Sequence, residues 1–305
     1  MIHVFLVGLI LLMAEPKHGT QVVTTVQEGR KILLLIDASS SMEGAALQSA
    51  KAVAETFIRQ RPPSDSIGVV LFNDTASGGI MSRNHTGLIR ELRHQEGVRI
   101  SGTQLGLGLF KGLASFMEDE VETALWQHHN ISGEKRQRYF QQTHDEIDRL
   151  GRHLMNKAKG EFILRLPMVS ETQRLGRGKV LIVLSDARVQ LSHAWQEVID
   201  HRDAFQLYDN MGFERLYFIS VEALPKEVVQ IFQRHTHWRF FRIHNMADRQ
   251  RLAQIYDDID RIEQPRNHIE VRTIPKALYR YGYPLLILVP IAIVLRILPP
   301  FRSFQ

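Results

Sequence analysis

Two runs of five consecutive apolar residues, Ile32-Leu33-Leu34-Leu35-Ile36 and Val180-Leu181-Ile182-Val183-Leu184, limit what this chain can fold into. A half-solvated strand alternates apolar and polar residues, so an unbroken run predicts a strand buried on both faces. Parallel sheets covered by helices provide that environment. The segments between these runs agree. Gly44 to Arg59 places Leu47, Ala50, Ala54, Phe57 and Ile58 at helical spacing, and Arg61-Pro62-Pro63-Ser64 ends it. Ile67 to Phe72 reads as a strand with Ser77 to Met81 as an antiparallel edge partner, and Leu107 to Phe116 is amphipathic. A helix is expected around Ala194 to His201, a strand at Arg215 to Val221 and a short helix at Lys226 to Arg234. Trp238 to Ile243 then reads as a last strand and Asp248 to Ile262 as a closing helix. Strands alternating with helices predict an α/β fold, a doubly wound, mostly parallel sheet over residues 31–263.

Each apolar run ends in oxygen-bearing residues. The first is followed by Asp37-Ala38-Ser39-Ser40-Ser41, the second by Ser185-Asp186. Between them, Ser101-Gly102-Thr103-Gln104 puts a hydroxyl in a glycine-flanked loop ahead of a helix. Open α/β sheets bind ligands at the carboxyl ends of their strands. If both strands lie parallel in one sheet, Asp37 and Asp186 emerge on the same edge, where Thr103 can join them. Carboxylates and hydroxyls without thiol or imidazole suit Mg²⁺ or Ca²⁺ rather than zinc. The competing reading makes Ser39 and Ser41 ordinary helix caps.

These segments resemble the von Willebrand factor A (VWA) family. There, Asp-x-Ser-x-Ser, a separate Thr and a later Asp form the metal-ion-dependent adhesion site. The matching positions are Asp37, Ser39, Ser41, Thr103 and Asp186. The resemblance implies Mg²⁺ at these five residues, with Ca²⁺ and Mn²⁺ as alternatives, and a coordination position open to a partner's acidic side chain. One departure is Ser185-Asp186-Ala187, where many relatives carry Thr-Asp-Gly. Gly tolerates positive φ and Ala does not, so the turn there is expected to differ.

The formal charge of +5 is carried by the tail. Arg266, Arg272, Lys276, Arg280, Arg296 and Arg302 face the single acid Glu270 after residue 263, and the rest of the chain is neutral. A nucleic-acid binder would carry that excess on its folded domain. Here it flanks the apolar run Pro284 to Leu298, bordered by Tyr279, Tyr281, Tyr283 and Phe301, which reads as a C-terminal membrane span over 284–300 behind a basic linker, 264–283. Met1 to Ala14 is apolar except for His3 and lacks the basic start of a signal peptide. It is expected to be a second anchor, joined by a linker over 15–30. There are no cysteines, which excludes disulfides, zinc–thiolate sites and cysteine nucleophiles.

With these ends included, the chain looks like the bacterial aerotolerance (Bat) membrane proteins. Ala14-Glu15-Pro16 after an apolar helix, Glu28-Gly29-Arg30 before the first strand, and the Arg251 to Glu263 helix leading to a terminal span carry that likeness. It implies a membrane-anchored interaction module in the bacterial inner membrane, working with other Bat-type proteins and a MoxR-type AAA+ ATPase. Sidedness is argued both ways. The basic residues Lys17, Arg30, Lys31, Arg272, Lys276 and Arg280 beside the domain outnumber Arg296 and Arg302 on the tail, favouring a cytoplasmic domain. The resemblance implies a periplasmic one, which is the expectation adopted, because long domains translocate largely regardless of charge.

Residues 117–178 read as a helical insertion with ten acidic and ten basic residues. Within it, Phe140, Ile147, Leu150 and Leu154 suggest an amphipathic helix over Tyr139 to Lys157 packed on the domain, with a partner-docking surface as the alternative. The fourteen histidines carry no convincing metal pattern: His128-His129 diverge on a helix, and His235-x-His237 has no evident carboxylate partner. No nucleophile elbow, phosphate loop or His-Glu-x-x-His is present, so catalysis is not expected. The remaining enzymatic alternative is Mg²⁺-dependent phosphoryl transfer from a strand-end Asp. It would need a positioned lysine or a second acid in the site, and Lys179 stands at the wrong end of its strand.

Overall fold

The computed structural model describes residues 29–95, 102–128, 131–157, 162–169, 175–186 and 198–263. The expected anchors at 1–14 and 284–300 lie outside these residues. Among the described residues, no helix is long and apolar enough to cross a membrane.

The two apolar runs become the central strands β1 (Lys31–Asp37) and β4 (Lys179–Ser185), paired in parallel from Lys31 opposite Lys179 to Ile36 opposite Leu184. Outward on one side lie β2 (Ser66–Phe72), parallel to β1, and the short antiparallel β3 (Ala76–Gly78). On the other side lie β5 (Arg215–Ser220) and β6 (Trp238–Arg242), both parallel. The resulting order, β3-β2-β1-β4-β5-β6, reverses direction between β1 and β4. That is the switch point at which open α/β sheets bind ligands.

Alternate residues of β1 serve opposite faces. Ile32, Leu34 and Ile36 pack with helices α1 (Ala45–Gln60), α2 (His85–His94) and α7 (Arg249–Ile262). Leu33 and Leu35 pack with α3 (Leu105–Gln127), α4 (Gly133–Met155), α5 (His201–Asn210) and α6 (Lys226–Gln233). Both sides of the sheet are therefore dry, which is why its sequence shows runs rather than alternation.

Several elements differ from expectation. Helix α2 was not anticipated, although Leu88, Ile89 and Leu92 are buried and Asn84 caps it by accepting from Gly87 N at 3.0 Å. Helix α3 continues past Phe116 to Gln127, because Met117, Val121 and Leu125 extend its buried stripe. Helix α4 begins at Gly133 rather than Tyr139. Most of the helix expected around Ala194 to His201 lies outside the described residues. The helix seen there starts at His201, because Asp200 caps it by accepting from Arg202 N at 2.9 Å.

Charged side chains close the edge opposite the carboxyl ends. Lys31 Nζ lies 2.6 Å from Asp119 and donates to Thr123 at 2.9 Å. The buried Lys179 donates to Glu120 at 2.7 Å. Burial lowers the Lys179 ammonium below its usual range, against the pull of Glu120. At the same edge, fully buried Glu263 accepts from Arg30 at 2.8 Å, from Arg215 and from the Tyr217 hydroxyl.

Candidate metal centre

Asp37 is the last residue of β1 and is fully buried. Its Oδ1 accepts from Ser39 N at 2.9 Å, which turns the chain sharply off the strand. Its Oδ2 accepts from Ser185 Oγ at 2.5 Å, the hydroxyl that ends β4. The Ser39 and Ser41 hydroxyl oxygens are 3.1 Å apart, so both oxygens of the Asp-x-Ser-x-Ser loop converge. Ser40 to Met42 form one 3₁₀ turn, and Gly44, at φ 79°, redirects the chain into α1. Ser39 makes no side-chain cap to that turn, which removes the main support for the simple capping reading.

Asp186 follows Ser185 and is buried, and its charge is felt at Asp37. Burial first, and then that charge, push the Asp37 carboxyl up to about 6, although the bonds from Ser185 and Ser39 pull it down. A carboxylate deprived of water beside a second carboxylate is stabilised by a bound cation.

Thr103 sits half-buried in the loop entering α3. The next residue fixes that loop: Gln104 N donates to the Asn73 carbonyl at 2.9 Å, immediately after β2. Two glycines permit this fit. A Cβ on Gly102 would lie 1.8 Å from Asp74 Oδ1, and one on Gly106 would lie 1.9 Å from the Ile199 carbonyl. Gln104 Oε1 also accepts from Val198 N at 2.9 Å, holding the 198–200 segment beside the same edge.

The five expected residues thus fall at the carboxyl ends of β1 and β4 and in the loop before α3, all on one edge of the sheet. Their donor set is two carboxylates and three hydroxyls, which fits a hard divalent cation. Among the described residues, no group of three or more His, Cys, Asp or Glu side chains is placed to hold a metal. The sequence reading missed Ser185, whose hydroxyl orients Asp37. It also missed a carboxylate for His235, whose Nε2 lies 2.9 Å from Asp209 Oδ1 while the ring stacks on Trp238. Lys179 is at the far edge, held by Glu120, and gives no support to phosphoryl transfer at Asp37.

Residues 32–123, which run from β1 through the loop carrying Thr103 to near the end of α3, match the family model for the von Willebrand factor type A domain. Over these residues the chain resembles a VWA domain. Solved structures align with about three quarters of the chain. Proximal thread matrix protein 1 from the mussel byssus is 15% identical over 76% of this chain and 45% of its own, with a TM-score of 0.42. It has also been solved with a zinc-occupied MIDAS motif. A von Willebrand factor type A protein from Catenulispora acidiphila is 14% identical over 76% of this chain and 42% of its own, with a TM-score of 0.43. An aerotolerance-related membrane protein from Bacteroides fragilis is 10% identical over 75% of this chain and 100% of its own, with a TM-score of 0.41. The chain spans less than half the length of the first two. No curated protein sequence matches it.

Proposed function

We propose that this VWA domain is a membrane-anchored, Mg²⁺-dependent protein-interaction module of a bacterial envelope complex. The observation that supports it best is the buried Asp37 carboxylate, held by Ser185 and Ser39 at the switch point and feeling the charge of a second carboxylate, Asp186. Asp37, Ser39, Ser41, Thr103 and Asp186 would hold the ion. The bound ion supplies an exposed positive centre that recognises an acidic side chain of the partner. The protein's own residues do the rest. Ser185 fixes the Asp37 rotamer, the Asp37–Ser39 bond presents the two serine hydroxyls, and the Gln104–Asn73 bond positions the Thr103 loop.

The likeness of the terminal segments to Bat proteins extends this reading. In this reading the chain sits in the inner membrane, with the domain on the periplasmic side, among Bat-type partners and in functional connection with a MoxR-type ATPase. Crosslinking and pull-down of the full chain from native membranes tests the proposal. Partner recovery should depend on Mg²⁺, and EDTA, Asp37→Ala and Asp186→Ala should each abolish it. Recovery unaffected by chelator and by both substitutions would sink it.

A further inference from the structure

The edge of the sheet opposite the metal centre carries an exposed aromatic that the proposed adhesion function does not use. Helix α3 runs antiparallel to β1. Its Asp119 and Thr123 bond Lys31, the first residue of that strand. The helix then continues to Gln127, so about one turn, roughly 6 Å, projects beyond the sheet. Trp126 stands on this overhang and is 61% exposed. The Arg136 guanidinium, from the first turn of α4, lies 4.9 Å from its ring centroid. Indole Nε1 makes a long contact to Glu122, at 3.4 Å. Arg177 is exposed in the turn that enters β4 at the same edge. Ile262, 39% exposed, closes α7 there.

The described chain also enters and leaves at this edge. Arg30, before β1, and Glu263, after α7, are paired at 2.8 Å. The fourteen residues 15–28 separate the domain from the apolar stretch that ends at Ala14. Fully extended, they reach about 50 Å. Residues 264–283 are basic and lead to the apolar run from Pro284. A tryptophan with an arginine over its face is the amphipathic pairing favoured at the headgroup level of a bilayer, where the indole ring sits and the guanidinium meets phosphate.

We infer that the α3 overhang is a lipid-contact surface: Trp126 seats in the bilayer interface, and Arg136 and Arg177 face lipid phosphates. This rests on the proposed membrane anchoring. It adds that the domain is held against the bilayer in one orientation, with the metal centre pointing away from it.

The test uses the full chain reconstituted in phosphatidylcholine–phosphatidylglycerol vesicles, with and without lipids brominated near the headgroup. Flotation is measured first, and a chain that does not float with the vesicles refutes the anchoring and this inference together. In floating protein, brominated lipid should quench tryptophan emission, and Trp126→Phe should lose most of that quenching while keeping its far-ultraviolet dichroism. Every measurement is made in a Trp195→Phe background, so that Trp126 and Trp238 are the tryptophans present, and Trp238 is buried and should contribute little. If the chain floats but Trp126 is quenched by aqueous iodide and not by brominated lipid, the inference fails while anchoring stands. Shielding of Trp126 from both quenchers also overturns it, since a protein surface would then cover the overhang.

Discussion

Ser185 Oγ lies 2.5 Å from Asp37 Oδ2, joining the ends of β1 and β4 at the point where the sheet reverses its order. The contact spans 148 positions of sequence, yet follows directly from strand register, since Ile36 faces Leu184 one residue earlier. It makes the proposed metal centre a property of two strands rather than of one loop.

The first prediction concerns the cost of keeping Asp37 charged. Its carboxyl titrates at about 6 in the folded chain, against 3.8 ordinarily, so the fold favours the protonated form. The corresponding stability is fully present below pH 3.8 and is lost as pH rises through 6. Asp37→Asn keeps the shape and removes the charge. In metal-free buffer at pH 7.5 it should be more stable than the parent by about 3 kcal/mol. The difference should vanish near pH 4. Urea denaturation across that range, with EDTA present, is the measurement.

A second prediction isolates Ser185. Its hydroxyl lowers the Asp37 titration point, so Ser185→Ala should raise it further. The loss of a buried hydrogen bond to a charged group should also cost about 1–3 kcal/mol at pH 7.5. Mg²⁺ binding, followed by calorimetry, should then require higher pH. Ser185→Thr retains the hydroxyl and should restore both properties. If the alanine variant binds Mg²⁺ with the parent's pH profile, Ser185 has no positioning role.

The central strands were legible because helices cover both faces of the sheet, leaving Ile32–Ile36 and Val180–Leu184 without a polar residue. The Asp-x-Ser-x-Ser loop was legible because its ligand types are local in sequence. Contacts decided by tertiary register were not. Ser185 looks like any strand-end serine until β4 is known to lie beside β1. Likewise, Glu263 and Arg30 are 233 positions apart and meet only when α7 returns to the start of β1. The ten-residue α2 was missed for another reason: Gly87 and two histidines mask a short buried stripe of Leu88, Ile89 and Leu92.

The third prediction concerns Glu263. Removing it leaves Arg30 and Arg215 without their shared carboxylate and the Tyr217 hydroxyl without its acceptor. The two arginines are partly exposed and can recover water, so the main loss is the buried Tyr217 hydroxyl left without its acceptor, which costs about 1–3 kcal/mol. Glu263→Ala should therefore lower the urea midpoint by a corresponding amount. The metal centre lies at the opposite edge, so Mg²⁺ affinity of the folded fraction should be unchanged. A parallel loss of Mg²⁺ affinity would show that the two edges are coupled.

The last prediction settles whether residues 118–176 are an appendage. If they only decorate the domain, a short Gly/Ser linker in their place should leave the sheet folded, since loop length costs little. The packing argues otherwise. Val121, Leu125, Ile147, Leu150, Leu154, Leu164, Leu166 and Leu175 are all buried in the cluster that holds Leu33 and Leu35 of β1. At about 1.5–3 kcal/mol for each buried side chain, their removal matches or exceeds the stability of an ordinary domain, roughly 5–15 kcal/mol. The same deletion removes Glu120 and leaves Lys179 buried without its ion-pair partner. The shortened chain should therefore aggregate on expression, whatever linker is used. A shortened protein that purifies as a single species, melts cooperatively and binds Mg²⁺ would show that the sheet stands without this layer.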